Sequence, residues 1–170
     1  MSLTRQEIRR TTSDSALLEK LKRELRRVLP QGTAVQAEGF RSIISRLPKG
    51  LRAMAYTYLL DESLAVDDLA WHFLNWHRHG DAQDTIRALR ELGAGKAADI
   101  FQAAYDVVRP HWKDLERHDF ADWYRASGLE KSLEPFNRQL MMISREAGEF
   151  GLMSYWPTYA RRNPELVVAG

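Results

Sequence analysis

Residues 63–93, SLAVDDLAWHFLNWHRHGDAQDTIRALRELG, decide the fold class, because two helical patterns meet in them at a short polar turn. Val66, Leu69, Ala70, Phe73 and Leu74 recur at i, i+3, i+4, i+7 and i+8, the spacing that lays an apolar stripe along one side of an α-helix. Ser63 is placed to cap that helix and Gly80 to end it. Asp81 offers a second N-cap, and Ala82, Ile86, Leu89 and Leu92 form a matching stripe that stops at Gly93. The stretch reads as a helical hairpin.

The same pattern extends in both directions. Towards the N-terminus, Leu51, Met54, Ala55, Tyr58 and Leu59 give an amphipathic helix ending near Asp61 or Glu62. Before it, Thr33 caps a short helix carrying Val35, Phe40, Ile43, Ile44 and Leu47. A first helix, capped by Ser13 or Asp14, runs to about Leu29 and stops at Pro30, with Leu18, Leu21, Leu25 and Val28 on one face. Towards the C-terminus, Ala97, Ile100, Phe101, Ala104 and Val108 mark another buried face, and Pro110 is a boundary because a helix interior cannot take it without losing a hydrogen bond. Asp119 starts a short aromatic helix that ends at Gly128. Leu133, Phe136, Leu140, Ile143 and Ala147 outline a long one, with Pro135 near its first turn.

No run alternates at period two, so a sheet is not expected. A chain of 170 residues with 44% hydrophobic content suits one domain. The expectation is a single-domain all-α bundle of about seven or eight helices with short connections, comprising residues 14–170 behind a mobile basic lead-in at residues 1–13.

Composition removes whole classes of chemistry. The chain has no cysteine, which excludes disulfides, thiolate metal sites and a Cys nucleophile. It has no apolar leader and no run of 18 apolar residues, so the reading is cytoplasmic, with no membrane partner. The charge is uneven. Residues 1–60 hold 12 Lys/Arg against 5 Asp/Glu, whereas residues 61–156 hold 11 against 17. A basic front and an acidic middle can each meet an oppositely charged partner, or meet one another in the fold or in a homodimer.

The run FLNWHRHGDAQDTIRALRELGAGKAADIFQAA, residues 73–104, resembles the DNA-mimic-protein-like family of small helical bacterial proteins, most of which have no assigned function. Phe73, Leu74 and Asn75 stand for its aromatic pair closing on Asn, Leu89, Gly93 and Ala94 for its helix ending in Leu-x-x-Gly-Ala, and Ala97 to Ala104 for its alanine-rich helix. The tail YARRNPELV is similar to the family's ending. Where the family carries Asn-Asn-Gly-Gly, this chain has Asp67, Asp68, Leu69 and Ala70. The resemblance implies a protein that occupies a DNA-binding partner with an acidic surface, which a chain of net charge +2 can carry only on its acidic middle.

Three readings compete on the residues. The preferred one is a non-enzymatic interaction protein without a cofactor or catalytic residue. It binds a protein partner, such as a DNA-binding protein, or itself through Asp67, Asp68, Trp71, His72, Asn75, Trp76, His79, Asp81 and Asp84. In the mimicry version Asp67, Asp68, Asp81 and Asp84 replace phosphates, and Trp71 and Trp76 anchor the contact. The second reading is nucleic-acid binding through Lys22, Arg23, Arg26 and Arg27, a cationic strip that would release counterions on meeting phosphates. The third is a metal-dependent hydrolase on Asp68, His72 and His79. On a continuous helix these share one face with Asn75 at i, i+4, i+7 and i+11, and His118 or Asp119 would complete the ligand set.

Overall fold

A computed structural model describes residues 2–29, 38–76, 79–116 and 119–168. Within these the chain forms ten α-helices and no strand: α1 (Arg5–Arg10), α2 (Asp14–Val28), α3 (Glu38–Ser45), α4 (Lys49–Val66), α5 (Leu69–Asn75), α6 (His79–Glu91), α7 (Gly95–Val108), α8 (Phe120–Ala126), α9 (Leu129–Glu146) and α10 (Tyr155–Arg162). Short 3-10 turns cover Arg109–Glu116, Gly151–Ser154 and Pro164–Leu166. The all-α class is as expected. Thr33, Val35 and His118 lie outside the described residues.

Helix α4 is the spine. Leu51, Met54, Ala55 and Leu59 join one half of the core with α1, α2 and α10, whereas Leu60 joins the other half with α5, α6, α7, α8 and α9. A helix buried on several sides needs apolar residues nearly all round, as α4 has. Residues 1–13, read from sequence as a lead-in, supply Leu3 and Ile8 to the first half of the core. A capping box between Thr4 and Glu7 starts α1 there. The Leu3 amide donates to Glu24 Oε2 at 3.1 Å, and Arg27 pairs with the same carboxylate at 2.7 Å.

The central hairpin departs from its sequence reading. Ser63 does not cap a helix; α4 runs through it to Val66, and its hydroxyl donates to the Leu59 carbonyl at 2.8 Å. Asp68 takes the capping role, its Oδ1 accepting from the Trp71 amide at 2.9 Å. Helix α5 then lasts seven residues and ends at Trp76, so the long helix expected from Ser63 to Gly80 is divided among α4, α5 and α6. Gly80 and Asp81 belong to the first turn of α6 rather than to the turn before it. Gly93, at φ 88°, ends α6 as expected, and the Ala94 amide donates back to the Leu89 carbonyl at 2.8 Å. Pro135 sits one turn deeper in α9 than its sequence reading placed it.

One close approach makes a firm prediction. A Cβ on Gly50 would lie 2.6 Å from Val167 Cγ1, 2.7 Å from Tyr159 Cε1 and 2.8 Å from the Leu166 carbonyl oxygen. Because one of these is backbone, the C-terminal segment must shift to admit a methyl group. Gly50→Ala is expected to cost about 2 kcal/mol, seen as an earlier urea midpoint with an unchanged slope. An unchanged midpoint would mean that the segment after α10 does not hold its place on α4.

Candidate functional site

The residues singled out from sequence fall into four places. The first is the corner where α4 passes into α5. Val66 is 71% exposed and Trp71 is 41% exposed, both unusual for residues of their size. Asp67 is exposed between them, and Asp68 is fixed by its cap and by the Tyr124 hydroxyl, which donates to Asp68 Oδ2 at 3.4 Å. Burial, then the charge of Asp68, pushes the Tyr124 phenol up, with Glu130 and Asp67 adding to it. The phenol therefore stays protonated beside a group of carboxylates. Asn75 follows on the same short helix, and its side-chain amide donates to the Trp71 carbonyl at 2.8 Å. The corner is an apolar and aromatic surface edged with negative charge.

The second place is internal. His72 is 2% exposed, so it serves the core and not the surface. With the Ser63 hydroxyl proton committed to Leu59, the His72 Nδ1–H donates to the Ser63 oxygen at 3.0 Å. Its ring meets Phe101 and Phe73 edge-on at 5.4 and 5.9 Å. Burial pulls the imidazole pKa down to about 3, and the ring is neutral at ordinary pH.

His79 stands apart from His72 because the helix breaks between them. It opens α6, stacks on Trp112 at 4.5 Å between ring centres, and lies 2.9 Å from the Tyr105 hydroxyl through Nδ1. Asp68, His72 and His79 are thus held as a cap, a core residue and an aromatic ledge. Among the described residues no three His, Asp or Glu side chains gather where they could hold a metal ion. The i, i+4, i+7, i+11 register required an unbroken helix, which the turn at Trp76 removes. Trp76 itself packs against the first half of the core.

The third place is a cleft of about 700 Å³ between α3, α4 and α6. Asp84 lies in it and is shared by Tyr56, whose hydroxyl donates at 3.1 Å, by Arg41 at 3.4 Å and by Arg87. Asp81 is 3.8 Å from Arg41. These two carboxylates, read from sequence with Asp67 and Asp68, face arginines on a different side of the protein. Sequence reasoning missed the cleft's cations, Arg41, Lys49, Arg52, Arg87 and Arg90. Lys49, Arg52 and Tyr56 repeat at i, i+3 and i+7, a signal that only a known partner helix makes meaningful.

The fourth place is α2. Its leucines are buried and its arginines face outward, but Lys22 is largely covered and not all of the cations are unopposed. Arg27 pairs with buried Glu24, and Lys22 lies 3.5 Å from Glu19. Burial works to raise the Glu24 carboxyl, and Arg27 with the Leu3 amide more than offsets it, leaving Glu24 below its usual range. Arg23 and Arg26 are exposed.

The arrangement is an all-helical scaffold whose exposed aromatic corner, paired carboxylates and basic cleft are surface features. The family model described as DMP19-like protein matches residues 45–163, from the end of α3 through α10, and the chain belongs to that DNA-mimic-type family. The sequence resemblance at residues 73–104 falls within this span. No curated protein and no solved structure matches the chain. No described helix is long and apolar enough to cross a membrane.

Proposed function

We propose that this chain is a non-enzymatic interaction protein that docks a DNA-binding protein on the corner between α4 and α5, with Trp71 as the anchor and Asp67 and Asp68 as the charged edge. The observation that carries the reading is Trp71, an indole 41% exposed on a helix that buries Leu69 and Phe73 fully. Leaving it in water forgoes the burial that the rest of α5 obtains, and central aromatic anchors with polar rims are the usual energetic centres of interfaces. Family membership supports a DNA-mimic-type partner. Asp81 and Asp84 have no part in this version, because arginines of the same chain already face them. Neither has His72, which is buried.

The test is competition. The protein is titrated into purified bacterial repressors held on fluorescent duplex DNA, beside Trp71→Ala and Asp67→Asn variants. Release of DNA by the wild type is expected from at least one repressor. The Trp71→Ala variant should need roughly 30-fold more protein, the effect of losing one anchor of about 2 kcal/mol. If no repressor releases DNA, and the chain itself shifts the DNA in a salt-dependent way that Arg23→Ala with Arg26→Ala abolishes, the basic helix α2 is the functional surface and the corner is not.

A further inference from the structure

The cleft between α3, α4 and α6 does not belong to that corner, and its chemistry is opposite. Five cations line it, Arg41, Lys49, Arg52, Arg87 and Arg90, against the carboxylates of Asp84 and Glu91. The acids are already shared. Asp84 serves two guanidiniums and the Tyr56 hydroxyl, and Glu91 accepts from Lys49 Nζ and the Tyr159 hydroxyl, each at 2.6 Å. Arg52 has no carboxylate partner among the described residues, and its Nη1 donates only to the Ser45 carbonyl at 3.3 Å. Asp81 lies 3.8 Å from Arg41 and Asp99 3.2 Å from Arg90, so four acids face the five cations and Arg52 is the one without a carboxylate among the described residues.

The floor explains why there is a cleft at all. Ala53 of α4 and Ala88 of α6 are both buried and both line the cleft, and their methyl groups leave space that longer residues would fill. Burial, then the charge of Asp84, pushes the Tyr56 phenol up, so it stays a donor. The ion pairs on the rim are largely exposed, with Lys49, Arg87 and Arg90 more than half open to water. Exposed pairs of this kind contribute about 1 kcal/mol or less. A more highly charged anion can therefore recruit these cations at little cost.

We propose that this cleft is a binding site for a small molecule carrying two or more phosphate groups, held by Arg52, Lys49 and Arg90 over the alanine floor. The volume of about 700 Å³ lies within the range of small-molecule sites. Guanidinium forks match phosphate oxygens in pairs, and the Arg52 fork has no carboxylate to match it among the described residues.

The experiment is calorimetric titration with inorganic tripolyphosphate at moderate salt, alongside a hexaglutamate peptide. Three proteins are compared: the wild type, an Arg52→Gln/Arg90→Gln variant, and an Arg138→Gln/Lys131→Gln variant that removes the same charge from α9. The expected result is one tripolyphosphate per chain, weakened roughly tenfold for each guanidinium removed from the cleft and unchanged in the α9 variant. Matching circular dichroism and melting temperature show that both variants fold. Equal weakening in the two variants, no binding, or a hexaglutamate that binds tighter than tripolyphosphate would overturn the proposal. The first would reduce the effect to overall charge, and the last would make the cleft a peptide site. None of these results bears on the Trp71 corner, whose residues do not line the cleft.

Discussion

Acid is expected to destabilise this protein through His72 before most of its carboxylates titrate. The ring is buried, donates to Ser63 and is packed edge-on against two phenylalanines. Its pKa falls from 6.5 to about 3 because burial penalises the charged form. The folded value lies below the unfolded one, so the unfolded chain binds the proton more readily. The penalty is absent above pH 6.5 and grows as pH falls towards 3. At pH 4 it amounts to about 3 kcal/mol, from roughly 2.5 pH units at 1.36 kcal/mol each. That is a large share of the stability of an ordinary domain. Urea unfolding of the wild type and His72→Phe at intervals from pH 7.5 to 4 provides the check. Phenylalanine cannot take up the proton, and Ser63 keeps its bond to Leu59. The difference between the two proteins should therefore move by about 3 kcal/mol in favour of the variant on acidification. Parallel curves would mean that water reaches the imidazole in the folded state.

The largest loss from a single truncation is expected at Trp156. The side chain is fully buried on α10 within the half of the core shared with α2 and α4, and its Nε1–H donates to Thr57 Oγ1 at 3.0 Å. Thr57 spends its own proton on the carbonyls of Ala53 and Met54, so its oxygen is free to accept. Trp156→Ala removes the indole and leaves a cavity against a rigid helix, a loss of about 4 kcal/mol. In a chain of this size that lowers the melting temperature by roughly 8–16 °C. Trp156→Phe keeps a ring in place and loses the donor and part of the volume, for about 1–2 kcal/mol. Scanning calorimetry separates the two. An alanine variant melting within about 3 °C of the wild type would show that α10 can collapse onto α4.

Much of the fold was legible because it depends on local periodicity. The leucine face of α2, the stripe of α6 and its stop at Gly93, the small-residue face of α7 and the boundary before Pro110 all rest on spacing within a few turns. The short resemblance at residues 73–104 pointed to the family for a related reason, since it too is a local run. The boundary between α4 and α5 was not legible. Ser63 is a good capping residue and Asp68 is a better placed one. The choice went to Asp68 because Ser63 was needed inside α4, bonded to Leu59 and His72. That error carried the polar stripe with it. A register of Asp68, His72, Asn75 and His79 holds only on one continuous helix, and the break at Trp76 sends each residue to different neighbours.

The amino-acid sequence alone determined the all-helical class, the absence of cysteine chemistry, the uneven charge along the chain, the bounds of α2 and α8 and the ends of α6 and α7. Those properties follow from composition and from contacts between residues three or four apart. Tertiary structure decided that α4, rather than the stretch after it, is the spine. It also decided that His72 is internal and Trp71 is not, that Asp81 and Asp84 face arginines while Asp67 and Asp68 edge an open corner, and that cations from three helices share one cleft. Each depends on residues far apart in sequence, such as Arg41 with Asp84, Tyr124 with Asp68, or Ala53 with Ala88. Helical spacing says which residues share a face, and only packing says what that face meets.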